Sequence, residues 1–403
     1  MRISHPTGII EASIRLPASK SLSNRALLIR YLSGTDFSIH NLSQANDTVL
    51  LQRFLESGAS EADVQDAGTA FRFLTAALSM MPGEWRITGT ERLKERPIHL
   101  LVDALRELGA DIRYEEKEGF APLIIRGNEL SGGSLSLDAS VSSQFVSALL
   151  MMAPKLKRGL HLKLAGKTVS GPYIHMTLQL LKYFGVDHEW KNGEIIVPFQ
   201  PYVARTYRVE SDWSAASYWY EMAALSKSAK IRLPGLYSDS LQGDAGIVDM
   251  MNTLGVETKQ GQEGIEISKK QKITYPDFYE ADVLDTPDLA PAVLATLAGL
   301  QLHANITGTE NLDLKESRRR EVLCKELSGN GVNIRSEDPS IILDGGSLDR
   351  NPSFHVHQDH RMAMCFAPLA LCSEWVSLDD DGVIDKSYPG FWADMKKAGF
   401  QID

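Results

Sequence analysis

Residues 16–29 read L-P-A-S-K-S-L-S-N-R-A-L-L-I, and the rest of the chain is organised around the pattern they set. Leu16 and Pro17 read as the end of an extended segment. Ser19, Ser21 and Ser23 then bring small hydroxyls to the opening of a helix whose apolar face is Ala26, Leu27, Leu28 and Tyr31. A serine at the N-cap satisfies N–H groups that the first helical turn leaves without intrahelical partners. Those groups carry partial positive charge, so such a terminus favours an anion. Lys20 and Arg25 add two full charges there, and a guanidinium can grip a phosphate or carboxylate through two parallel bonds. Taken alone, the stretch reads better as an ordinary capped helix with two solvated cations. Its weight comes from recurrence.

Two kinds of helix alternate along the chain, six copies of each. The first kind runs into a glycine and then a β-like segment. Its copies end at Gly58, Gly109, Gly185, Gly255, Gly331 and Gly399, 51 to 76 residues apart. Apolar residues at helical spacing before each glycine fit a left-handed position that stops the helix. The second kind is more apolar and opens with small or charged polar residues. Its copies begin near Ser21, Gly68 and Thr69, Ser142 and Ser143, Asp212, Pro287 and Asp288, and His360 and Arg361. Helices apolar on most sides belong in a core, with only their polar ends emerging. Six such pairs imply duplication of one α/β unit. Three units on each side would make two similar domains, residues 20–211 and residues 1–19 with 212–403. The first strand, residues 3–14, is expected in the second domain. The polar helix starts are expected to face a cleft between the two, a common place for a ligand.

The totals agree with a globular α/β protein. Of 403 residues, 43% are hydrophobic and 23% charged, enough for two cores of ordinary size. A net charge of −10 and a pI near 5.6 argue against a nucleic-acid binder. They leave room for small anionic ligands, because a local cluster of cations sets the field of its own surroundings. Cys324, Cys365 and Cys372 stand in apolar, helix-like stretches with no C-x-x-C, so buried reduced thiols and a cytoplasmic location are expected. No signal-peptide pattern opens the chain, and no apolar run reaches the ~20 residues that span a bilayer.

Cations accompany the helix starts: Lys20 and Arg25, Arg96, Lys315 and Arg319, His360 and Arg361, and Lys386. Lys315 and Arg319 are four apart and would share one face of a helix. Acid–base candidates are Asp288, expected in the first turn of its helix, Glu316, and Lys315. On general grounds Asp288 could equally serve the helix dipole, and Glu316 could be a surface partner of Arg320. His5, His40, His99 and His360 lack metal-ligand spacing, and no phosphate-binding G-x-x-x-x-G-K-[ST] is present. No metal and no cofactor are expected.

Six motifs, in order, now resemble one family. L-P-A-S-K-S-L-S-N-R, A-G-T-A-F-R, L-K-E-R-P-I, S-S-Q-F-V-S-A-L-L-M, N-x-x-x-K-E-S-x-R and D-H-R-M-A-M are similar to those of the 5-enolpyruvylshikimate-3-phosphate synthases, the 3-phosphoshikimate 1-carboxyvinyltransferases. The resemblance covers essentially the whole chain. It implies two domains of three βαβαββ units each, with the active site in the cleft between them. It also implies transfer of the enolpyruvyl group of phosphoenolpyruvate to the 5-hydroxyl of shikimate 3-phosphate, on the path to chorismate and the aromatic amino acids. The catalytic set would be Asp288, Glu316, Lys315, Lys20 and His360. Phosphoenolpyruvate would be held by Lys20, Gly68, Thr69, Arg96, Gln144, Arg319, Arg361 and Lys386. Shikimate 3-phosphate would be held by Lys20, Ser21, Arg25, Ser142, Ser143, Gln144, Ser170, Tyr173, Asp288, Asn311 and Lys315. The partners expected are these two small molecules alone, bound by a monomer that closes on them, with no nucleic acid and no membrane.

Five positions depart from the family pattern: Asp66 for Asn, Phe73 for Pro, Gly171 for Lys or Arg, Asp313 for Arg, and Arg318 for Asp. None removes an assigned catalytic group. The retained Gly68 is what the glyphosate-sensitive class carries. Two competitors remain at this point. One is the sister transferase acting on a UDP-sugar, which often carries a loop cysteine. The other is a non-catalytic paralogue that captures phosphorylated metabolites.

Overall fold

The structure, a computed structural model, describes residues 1–403. Its repeating unit is plainest over residues 61–127. Strand Glu61–Asp63 leads through the apolar helix Gly68–Leu78 to strand Gly83–Thr88. The helix His99–Glu107 follows, then strands Asp111–Tyr114 and Leu123–Gly127. The first two strands pair in parallel, and the last two add antiparallel. A parallel neighbour requires a crossover, and the apolar helix is that crossover. The same βαβαββ order builds the sheets over residues 133–197 and 279–346.

The N-terminal segment completes two more. Ile9–Ser13 pairs in parallel with Ser228–Pro234, and Arg2–Ser4 lies antiparallel between Val376–Leu378 and Gln401–Ile402. Residues 3–14, read from sequence as one strand, are therefore two strands in different sheets. Gly8, at a φ of 68°, turns the chain between them. The sixth sheet is reduced to the parallel pair Ile39–His40 and Tyr207–Arg208, so five four-stranded sheets accompany one of two strands.

The chain divides into two compact units, Met1–Ala18 with Glu210–Asp403, and Ser19–Val209. In the first, the helices Trp213–Leu225, Ala290–Gly299 and His360–Phe366 fill the core, with Trp213, Trp219 and Tyr218 wholly enclosed. In the second, Lys20–Ser33, Gly68–Leu78 and Ser143–Met152 do so. All six glycines that stop the other helices have positive φ, from 65° at Gly58 to 101° at Gly109. A side chain would strain each of those stops.

Three expectations need correction. Asp288 is not in a first helical turn. It sits in the turn ahead of the Ala290–Gly299 helix, where the Leu289 N–H donates to Thr286 O and Pro291 takes a first-turn position. Lys315 and Arg319 do not share a helix face either. A 3-10 turn ends at Leu314, Lys315 is extended, and the next helix begins at Arg319. Of the cysteines only Cys365 is buried. Cys324 is half-buried, and Cys372, placed where a 3-10 helix ends, is exposed. No helix is long and apolar enough to cross a membrane.

Candidate active site

In the Ser19–Val209 unit the assigned residues gather at helix starts. Ser19 caps the Lys20–Ser33 helix by accepting from the Leu22 N–H, and Lys20 Nζ lies 3.2 Å from Asp47 Oδ2. Arg25, one turn on, is buried. Its Nε donates to Thr177 Oγ1 at 2.8 Å and its Nη2 to Ser147 Oγ at 3.0 Å. Its Nη1 donates to Ser21 O at 3.0 Å, and Tyr173 O is 3.4 Å from Nη2. None of these acceptors is ionised, so burial draws the Arg25 pKa down to about 10, only slightly offset by Tyr173. Ser142 caps the Ser143–Met152 helix by accepting from the Gln144 N–H, and the Gln144 amide reaches across to Thr69 Oγ1 at 3.0 Å. Ser170, at a φ of 54°, precedes the Gly171–Tyr183 helix.

Gly68 lies against two arginines. A Cβ there would sit 2.6 Å from Arg96 Nη1 and closer still to Arg72 Nη1, so a methyl group would have to displace both guanidinium groups. Arg96 is buried, with Asp66 O at 3.5 Å its one hydrogen-bond acceptor. Arg25 and Arg96 thus share a property: each is a buried cation with no carboxylate partner, a demand for an anionic ligand.

In the other unit the cations are paired. Asp288 receives Arg319 Nη1 on Oδ1 at 3.0 Å and Arg361 Nη2 on Oδ2 at 2.7 Å, with Lys315 Nζ 3.9 Å from Oδ1. Arg319, 1% exposed, also reaches Glu316 Oε2 at 2.5 Å and, through Nε, Asp359 Oδ2 at 2.8 Å. Lys386 Nζ lies 3.8 Å from Glu316 Oε1. Glu316 therefore pairs with Arg319 and Lys386, not with Arg320, which goes to Asp313 and Asp338. His360 opens the His360–Phe366 helix, with Nδ1 3.5 Å from Asp359 Oδ1. Asn311 opens the 3-10 turn Leu312–Leu314 that leads to Lys315.

Charge sets the protonation states. Burial alone would raise the Asp288 carboxyl, but Arg361, Lys315 and Arg319 together hold it well below the ordinary carboxylate range. Asp359 is likewise pushed up by burial, yet Arg319 and His360 bring it down to about 2. Asp244, which accepts from Ser214, is raised to about 6 by burial and by the nearby Asp288 charge.

The sequence reading missed Asp359 as a site residue, although it stands in the quoted D-H-R-M-A-M. It is fully buried, caps its helix by accepting from the Arg361 N–H at 3.0 Å, and takes both the N–H and the hydroxyl of Ser317. An Asp immediately before a helix that begins with His-Arg was the available signal. Asp47, Ser147 and Thr177, which hold Lys20 and Arg25, carried no local signal. Two departures find structural reasons. Asp313 accepts from the N–H groups of Arg320 and Glu321 and so caps the Arg319–Ser328 helix. The Phe73 ring lies under Arg25, 5.5 Å from the guanidinium carbon.

Comparison with known proteins follows the same line. The sequence profile of EPSP synthase (3-phosphoshikimate 1-carboxyvinyltransferase) matches residues 50–395. A 3-phosphoshikimate 1-carboxyvinyltransferase of Bacteroides fragilis (strain YCH46) is 47% identical over 397 residues, covering 98% of this chain and 96% of that one. The protein of the same name from Aliivibrio fischeri (strain MJ11) is 34% identical over 421 residues, covering 97% and 98%. A solved EPSP synthase from Acinetobacter baumannii has a TM-score of 0.78 at 21% identity over 100% and 99% of the two chains, a likeness of fold. With its motifs in order, its repeated α/β units and matches of this extent, the chain belongs to the EPSP synthase family.

Proposed function

We propose that this chain transfers the enolpyruvyl group of phosphoenolpyruvate to the 5-hydroxyl of shikimate 3-phosphate and releases inorganic phosphate; its relatives' name gives the acceptor and the carboxyvinyl group transferred. The observation that carries the reading is Asp288: an ionised carboxylate clasped by Arg319 and Arg361, with Lys315 beside it and Glu316 on the same arginine.

The chemistry follows from that clasp. While two arginines neutralise it, Asp288 is a weak base. An anionic ligand that engages Arg361 and Lys315 takes up part of their charge, and the basicity of Asp288 rises as it does. Asp288 then accepts the proton of the 5-hydroxyl as its oxygen attacks C2 of phosphoenolpyruvate, and C3 takes a proton from Glu316 or Lys315. The product of addition is a tetrahedral ketal bearing carboxylate and phosphate. Lys20, Arg96, Arg319, Arg361 and Lys386 stabilise its charge. Removal of a methyl proton and departure of phosphate regenerate the vinyl ether. Every step moves protons and charge, and side chains of this sequence suffice for both.

Arg25, with Ser142, Ser143, Ser170 and Tyr173, is assigned to shikimate 3-phosphate, and Gly68, Thr69, Arg96 and Gln144 to phosphoenolpyruvate. Support comes from the absence of carboxylate partners at Arg25 and Arg96. The protein is taken to work as a monomer. Following phosphate release from the purified protein tests the reading. Release that requires both substrates, with a product heavier than shikimate 3-phosphate by one enolpyruvyl group, is expected. Release with a UDP-sugar acceptor instead, or binding without release, would overturn it.

A further inference from the structure

The chain enters the Asp359–His360–Arg361 turn through two consecutive residues with positive φ, His357 at 51° and Gln358 at 55°. Left-handed backbone is uncommon for residues with a Cβ and persists where the surroundings over-determine it. Two carboxylates do so here. Glu326 is almost wholly buried. Its Oε2 accepts from the His355 N–H at 3.0 Å, and its Oε1 lies 2.9 Å from His357 Nε2. Asp379 accepts from the Val356 N–H at 2.9 Å and pairs with His355 Nδ1 at 2.9 Å. Three successive residues are thereby pinned, and the Asp359 N–H closes the turn onto Val356 O at 2.9 Å.

Glu326 sits in the last turn of the Arg319–Ser328 helix, where an acidic side chain opposes the helix dipole. Its position is accounted for by the segment it holds. The first residue of the same helix, Arg319, binds Asp359. One helix therefore grips this segment on both sides, Glu326 at His355 and at His357, the first of the left-handed pair, and Arg319 at Asp359 just after it. We propose that Glu326 is a positioning residue: its clamp on His355 and His357 holds the strained turn that aims His360 and Arg361. The assignment of Arg361 to phosphoenolpyruvate, on which the kinetic test rests, is that of the proposed function.

Glu326→Leu removes the clamp while filling the space, and the double variant Glu326→Leu, Gln358→Gly also relieves the strain the clamp opposes. Glu326→Leu should raise the KM for phosphoenolpyruvate about fivefold or more, with the Kd for shikimate 3-phosphate within about twofold of wild type. The added glycine should recover a large part of that loss, which a merely structural role of Glu326 would not allow. Should Glu326→Leu fail to fold, His357→Asn serves in its place, since Asn tolerates left-handed backbone but is too short to reach Glu326. Amide hydrogen exchange of the ligand-free protein reads the clamp without any substrate. Faster exchange over residues 355–362, with the Trp213–Leu225 helix unchanged, is expected. Unchanged exchange there, equal weakening of both substrates, or no recovery with glycine would overturn the proposal. A wild-type protein without turnover would refute the assigned reaction, while the exchange measurement would still decide the clamp.

Discussion

Arg25 and Arg96 are buried guanidinium groups that meet only neutral acceptors, whereas Arg319 and Arg361 meet carboxylates. The first pair asks for an anion from outside the protein; in the proposed reaction the second tunes Asp288 as the base. Arg96→Lys and Arg361→Lys keep the charge and lose the planar fork. Each should weaken phosphoenolpyruvate by about 1.5–3 kcal/mol and leave shikimate 3-phosphate nearly unaffected, as separate titrations of the two ligands would show. Gly68→Ala makes the same point sterically. Its methyl group would push against Arg96 and Arg72, so the KM for phosphoenolpyruvate should rise about tenfold without a matching loss of thermal stability. Equal weakening of both substrates in any of these variants would mean the site map is wrong.

Asp359 ties down the start of the Arg319–Ser328 helix: it takes the Arg319 Nε and the N–H and hydroxyl of Ser317, while Asp288 and Glu316 take the other guanidinium nitrogens. Asp359→Asn should therefore destabilise the protein by about 1.5–3 kcal/mol in a denaturant titration, the cost of taking one of three carboxylate partners from a buried guanidinium. The pH dependence has a definite sign. Asp359 is held at about 2, below its ordinary value of 3.8, so its contribution is present at neutral pH and is lost as pH falls from about 4 toward 2. Glu221 behaves oppositely. It is fully buried in the Trp213–Leu225 helix, both its oxygens lack a hydrogen-bond partner, and burial raises its pKa well above 4.5. Stability is lost as pH rises above the ordinary glutamate value, because the unfolded chain ionises and the folded one resists. Glu221→Leu should raise the melting temperature more at pH 8 than at pH 5; a pH-independent change would contradict this. These elements also mark what the sequence made legible. Apolar helix bodies, the six glycine stops and the serine caps are local signals with a fixed physical meaning, and they gave the repeats. Asp288 and Glu316 stood out as residue types, but their arginine partners are 73 and 3 residues away, and no spacing rule predicts the longer link. The division of residues 3–14 into two strands depended on which sheets each could reach.

At the scale of the whole chain, a βαβαββ unit with its apolar helix at the parallel crossover is complete over residues 61–127, 133–197 and 279–346. The net charge of −10 is spread over a surface that leaves these local cation clusters intact. A monomer is proposed, and sedimentation equilibrium should return a mass near 44.5 kDa at micromolar concentration; a doubled mass would contradict it. The account as a whole turns on Asp288 as the base. Asp288→Asn keeps the shape of the side chain and releases two arginines toward an anionic ligand, so both substrates should still bind. Turnover, followed as phosphate release with both substrates saturating, should fall by about 10²–10⁴-fold. If Asp288 only favours a helix terminus, the variant should lose less than ~1 kcal/mol of stability and keep its rate. Near wild-type turnover in Asp288→Asn would contradict the central claim.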